Sequence, residues 1–80
     1  TLERLDLKNN RVQYIPTLTG FDKLIRLELN NNQLEDIASI KNFHQLQHLE
    51  LSNNRITNIS LTLLNQLKHL TYLSLKGNPL

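Results

Sequence analysis

Eighty residues carrying nine Lys and Arg against seven Asp and Glu, a formal net charge of +2, make one domain at most and give too weak an imbalance to argue for nucleic acid or an anionic membrane as a partner. The absence of cysteine excludes a disulfide framework and a thiolate metal site within these residues, and it favours a cytoplasmic or nuclear setting over an extracellular one. Nothing in the stretch reads as a signal peptide or as an apolar run of roughly 18 residues that could span a membrane.

The first unit opens at Leu2 and places Leu5 and Leu7 in alternation with polar residues. Period-two alternation predicts a short strand with one buried face, so Leu5 and Leu7 point inward while Arg4 and Asp6 point out. After Asn10 the apolar spacing changes to three, through Val12, Ile15, Leu18 and Phe21. That spacing suits a tight turn, a 3₁₀ stretch or an extended arch, and Pro16 argues against a long helix. The second unit repeats the pattern from Leu24, with Leu27, Leu29 and Asn32 followed by Leu34, Ile37, Ile40 and Phe43. Asp36 and Ser39 are each placed to cap a single helical turn.

The third unit begins at Leu46 and carries Leu49, Leu51 and Asn54, but the fourth begins at Leu70, so the unit steps are 22, 22 and 24 residues. Two extra residues in 59–64 predict a more helical or bulged return arm. Leu64 and Leu67 are expected in the places of Ile40 and Phe43, with Leu61 or Leu63 left over. The fourth unit carries Leu73, Leu75 and Asn78, and the sequence stops at Leu80 without a return arm. Residues 1–80 therefore read as a repeat fragment without its caps: Leu2, Leu5 and Leu7 at one end, and Leu73, Leu75 and Leu80 at the other, would face water.

Asn10, Asn32, Asn54 and Asn78 share one register. The chain turns away from the sheet there, and a side-chain amide can supply both donors and an acceptor to backbone groups that lose their ladder partners. The general liking of asparagine for turns accounts for Asn9, Asn30, Asn31 and Asn53, but not for four asparagines at one position of a repeat. The four copies of L-x-x-L-x-L-x-x-N-x-[L/I/V], ending at Val12, Leu34, Ile56 and Leu80, resemble leucine-rich repeats over the whole chain. The 22-residue units are similar to the short-repeat class of a protein phosphatase 1 regulatory subunit, ciliary proteins and the spliceosomal A-prime protein; the 24-residue unit looks more like the extracellular type. This resemblance implies an α/β fold: a right-handed solenoid with a short parallel sheet on the concave face, 3₁₀ or extended return arms on the convex face, and recognition of other proteins by the concave side.

With the strands in register, the outward residues form columns: Arg4, Arg26, His48 and Tyr72; Asp6, Glu28, Glu50 and Ser74; and, flanking them, Lys8, Asn30, Ser52 and Lys76. Together these make the candidate partner-binding surface. The stacked acids beside an Arg, His and Tyr edge suggest docking of a partner with basic and aromatic residues, against the plainer reading of a self-neutralised, solvated face. Ile25, where other units have Glu3, Gln47 and Thr71, favours binding. His44 and His48 are four apart but fall on different surfaces, so no metal or other cofactor is expected. No nucleophile–base pair, phosphate-cradling glycine loop or pocketed acid pair emerges, and the chain reads as a non-enzyme. Asn58-Ile59-Ser60 matches the N-glycosylation pattern, at a frequency chance allows. The favoured function is an intracellular scaffold or regulatory subunit holding a protein partner. An extracellular receptor-type or immune ectodomain is the alternative, and a ribonucleoprotein component without direct nucleic-acid contact a weaker one.

Overall fold

The computed structural model describes residues 2–15 and 22–80. Four short parallel strands, β1 (Arg4–Asp6), β2 (Arg26–Glu28), β3 (His48–Glu50) and β4 (Tyr72–Ser74), form one sheet in sequence order. Their register pairs Leu5 with Leu27, Leu27 with Leu49, and Leu49 with Leu73. Each strand thus repeats its neighbour one unit on, and the parallel crossovers wind the chain as a right-handed solenoid. Backbone bonds continue beyond the strands, from the amides of Leu7, Leu29 and Leu51 to the carbonyls of Glu28, Glu50 and Ser74 at 2.8–2.9 Å.

The inward leucines form a core centred on the middle units. Leu24, Leu27, Leu29, Leu34, Ile40, Leu46, Leu49, Leu51 and Ile56 are all buried, whereas Leu5, Leu7, Leu73 and Leu75 are half-buried against the same cluster. Leu2 and Leu80 are exposed. The gradient follows from the architecture, because an inner rung has a neighbour on both sides and an outer rung on one. Phe43 is buried and Leu67 continues its column in the next unit. Phe21, Leu18 and Pro16, assigned to the first return arm from sequence, lie outside the described residues.

The return arms differ in kind. In the second unit the arm holds a 3₁₀ stretch, Ala38–Asn42, as the spacing by three predicts. In the third it holds an α-helix, α1 (Leu61–Gln66), the more helical of the two forms that the extra residues predict for this arm. The two extra residues supply a full turn, and Ser60 caps it by accepting from the amides of Thr62 and Leu63. Helical winding also changes which leucine is buried. Leu63, not Leu64, enters the core column; Leu64 is half-buried and Leu61 faces solvent at 76% exposure. The capping roles expected in the second arm split as well. Asp36 accepts from the Ala38 amide at 2.9 Å, but the Ser39 hydroxyl donates to the Ile15 carbonyl at 2.8 Å and ties its arm to the preceding unit. Arms wider than the strand spacing of about 4.8 Å bend the stack so that the sheet lines the concave side.

Candidate functional site

The concave face is held in shape by the turns that follow the strands. Asn32 and Asn54 are buried at equivalent positions. Asn32 donates to the carbonyls of Leu7, Leu29 and Asn30 and accepts from the Val12 amide. Asn54 repeats this one rung on, donating to Leu29, Leu51 and Ser52 and accepting from the Leu34 amide. Asn78 donates to Leu51 and Leu75 and accepts from Ile56. Asn10, exposed, bonds within its own turn, to Leu7 and Lys8. Each interior amide therefore spans two units and meets backbone groups that sheet and arm leave over.

A second asparagine position matters for a different reason. Asn9, Asn31 and Asn53 have φ of 61°, 61° and 58°, and Gly77 completes the series at 82°. The left-handed region that the turn requires is one that Asn and Gly enter most easily. A Cβ at Gly77 would also lie 2.1 Å from the Asn53 side-chain oxygen. Of the four asparagines expected to follow turn preference, Asn9, Asn31 and Asn53 owe it to this backbone conformation, whereas Asn30 bonds Glu50 and Ser52 through its side chain.

The strands bring Arg4, Arg26, His48 and Tyr72 into one column and Asp6, Glu28, Glu50 and Ser74 into the next. Depth, however, separates them. The Glu28 side chain is only 2% exposed and that of Glu50 14%, while Arg4 is 64% exposed, Lys8 39% and Arg26 37%. Two carboxylates one rung apart would repel by about 0.9 kcal/mol even at the dielectric of water, and basic side chains fold over them. The Arg26 guanidinium donates twice to Glu28 Oε1, at 2.9 and 3.0 Å, and reaches Glu50 Oε2 at 3.5 Å. Arg4 and Lys8 stand 3.8 and 4.0 Å from the Glu28 carboxylate. Asp6 is half-exposed, but at Glu28 and Glu50 the acidic stripe lacks the exposure expected from the sequence. These two carboxylates form a sunken layer, roofed by aliphatic stems whose charged ends remain in water.

Glu50 is held from three sides. His48 Nε2 lies 2.6 Å from its Oε2, Arg26 approaches the same oxygen, and the Asn30 amide donates to Oε1. The hydrogen bond with His48 holds the Glu50 carboxyl below its ordinary pKa; burial opposes this, and the charges of His48, Lys8 and Arg26 assist it. Asn30 also accepts from the Ser52 amide at 2.7 Å, so its side chain serves the interior of the face. The His48 and Tyr72 rings stack with centroids 4.3 Å apart and planes 5° from parallel, and Tyr72 is 50% exposed. Ser52 and Ser74 are half-buried beside the stack, Lys76 is exposed at its far side, and Ile25 is half-buried at the strand entrance.

Glu28, His48 and Glu50 offer ligand atoms within 4.8 Å of one another. A divalent cation among them would stand against Arg4, Lys8 and Arg26 and would have to displace bonds the carboxylates already make. Charge neutralisation by guanidinium accounts for this cluster. His44 is exposed on a turn outside the sheet, apart from His48. On the convex side, an open cavity of about 260 Å³ lies between the second and third arms, lined by Asp36, Lys41, Asn58, Ser60 and Gln66 among others. The sequence reading missed Ser60 as a cap and Ser39 as a strut. Ser60 precedes a run of leucines with a free hydroxyl, which is a legible helix start; no local signal marks Ser39.

A family model for leucine-rich repeats matches residues 1–42 and again 44–80. Among curated proteins no relative matches the sequence. Among solved structures, a leucine-rich repeat protein of Leptospira interrogans superposes with a TM-score of 0.83 at 30% identity, over 92% of this chain and 19% of that one. An internalin from Listeria monocytogenes follows with a TM-score of 0.53 at 26% identity, over 71% of this chain and 23% of that one. The chain thus spans about a fifth of the length of these two proteins. Two tandem matches to the family model cover all four units, and with the parallel four-stranded sheet and the asparagine-bonded turns they show that the chain belongs to the leucine-rich repeat family.

Proposed function

We propose that these repeats are a non-catalytic interaction module whose concave sheet holds a protein partner, within an intracellular scaffold or regulatory subunit. The observation that carries this reading is the stacked His48–Tyr72 pair, half-exposed on a face whose backbone is fixed rung by rung. A rigid aromatic anchor costs little entropy on binding and buries a large area, as the residues that dominate interfaces do. Charged groups on the same face, Arg4, Lys8, Arg26 and Lys76, give orientation. Leucine-rich repeat proteins as a group serve as protein-interaction modules, which agrees with this assignment.

The test compares two double variants of the full chain that carries the repeats. Arg4→Ala with Tyr72→Ala removes exposed side chains from the strands, and Lys41→Ala with Leu61→Ala removes them from the return arms. Each protein is immobilised, and what it captures from an extract of its own source is quantified. A protein retained by the wild type should be lost about tenfold or more with the strand pair and kept with the arm pair. Retention by the strand pair together with loss by the arm pair would reject concave-face binding.

A further inference from the structure

We infer that the concave face selects an acidic protein segment, in extended conformation and carrying an aromatic side chain; this rests on concave-face binding and adds the partner's chemistry. The sequence alone points the other way, toward a basic partner, because it counts Glu28 and Glu50 as surface charge. Depth reverses the sign. The Glu28 and Glu50 side chains are 2% and 14% exposed; Arg26 holds Glu28 Oε1, His48 and Arg26 share Glu50 Oε2, Asn30 holds Glu50 Oε1, and Glu28 Oε2 is buried without a hydrogen-bond partner. An approaching chain reaches little carboxylate surface on the two middle rungs.

It meets guanidinium and ammonium groups instead. Arg26 directs Nε and Nη2 at the carboxylates beneath it, and an arginine has five N–H donors in all, so part of the fork is left for an outside acceptor. Arg4 stands at ion-pair distance from Glu28 but makes no hydrogen bond through its guanidinium among the described residues. Lys8 is likewise held by ion pairs at 3.8 and 4.0 Å, to Asp6 and Glu28. Asp6 is the one acidic side chain of that column with substantial exposure, and Lys8 is beside it. The first two rungs therefore present three cations outward. The last two present the His48–Tyr72 stack, with exposed Lys76 beyond.

The order of these features sets the order in the ligand. Four rungs span about 14 Å, the reach of roughly four extended residues. Carboxylates at one end of such a segment meet Arg4, Lys8 and Arg26, where bidentate contacts with guanidinium are available. A flat side chain at the other end packs against the His48–Tyr72 pair where it faces the concave side. A basic segment would meet like charge on the first two rungs, so the same features that attract acidic chains reject basic ones.

The probe is a ten-residue peptide of glutamates with one phenylalanine near its C-terminus, compared with a peptide in which lysine replaces every glutamate. Binding to the full chain is read by fluorescence anisotropy at about 20 mM and about 200 mM salt. The glutamate peptide should bind, and weaken as salt rises. R4Q with K8Q, both at exposed positions, should weaken it about five- to tenfold, while K41Q with K68Q should leave it within about twofold. Circular dichroism checks that each variant is folded. Tighter binding of the lysine peptide overturns the acidic assignment, and if Y72A weakens that binding the concave reading survives. Loss of glutamate-peptide binding in K41Q with K68Q rather than R4Q with K8Q overturns both. No binding of either peptide overturns the acidic assignment alone and leaves concave recognition to the capture experiment.

Discussion

The weight of a turn asparagine in this fold depends on which backbone groups it alone can satisfy. Asn54 accepts from the buried amide of Leu34 and donates to carbonyls on two units, so Asn54→Ala strands at least two buried groups. A loss of about 2–4 kcal/mol is expected in urea melts of the full chain. Asn58→Ala, at an exposed position outside the ladder, should cost less than about 0.5 kcal/mol. Asn31 makes a third case. Its φ of 61° predicts that alanine costs about 1 kcal/mol and that glycine recovers most of it. Equal losses for Asn54→Ala and Asn58→Ala would remove the inter-unit role. Glu50 gives the pH dependence at this scale. Its carboxyl titrates lower in the fold than in the unfolded chain, so its contribution is present above the unfolded value and lost as pH falls through the folded one. Wild type should lose stability below about pH 4 more steeply than Glu50→Gln; superimposable acid limbs would contradict the network drawn around Glu50.

Among the elements, the strands were legible in the sequence and the arms only partly. Period-two alternation places Leu27 and Leu49 inward without ambiguity, because a slip of one residue would turn every leucine to solvent. Spacing by three does not separate a 3₁₀ turn from the start of an α-helix, so the apolar pattern alone leaves α1 and a bulge equivalent, and only the Ser60 cap distinguishes them. The site was readable as columns but not as depth. Register follows from the repeat, whereas the burial of Glu28 follows from how Arg4, Lys8 and Arg26 lay their stems across it, and long rotamer-rich side chains leave no periodic trace. The arm assignment is checked by three substitutions. Leu63→Ala should cost about 2–5 kcal/mol, Ser60→Ala about 1 kcal/mol, and Leu61→Ala no more than about 0.5 kcal/mol. Thermal melts that rank Leu61 above Leu63 would show that the helix faces the other way.

For the molecule as a whole, the groups that support the sheet are distinct from those left exposed on it. Asparagine bonds, leucine columns and the sunken carboxylates fix the curve of the sheet, and the exposed basic and aromatic side chains lie on its concave side. No helix among the described residues is long and apolar enough to cross a membrane. Concave recognition is tested most directly by amide chemical-shift mapping on the isotopically labelled full chain, titrated with a protein that the wild type captures. The account predicts the largest shifts at 4–8, 26–30, 48–52 and 72–76, with the Tyr72 ring signals moving alongside. Shifts concentrated at 35–42 and 58–66 with the strand signals unmoved would contradict it.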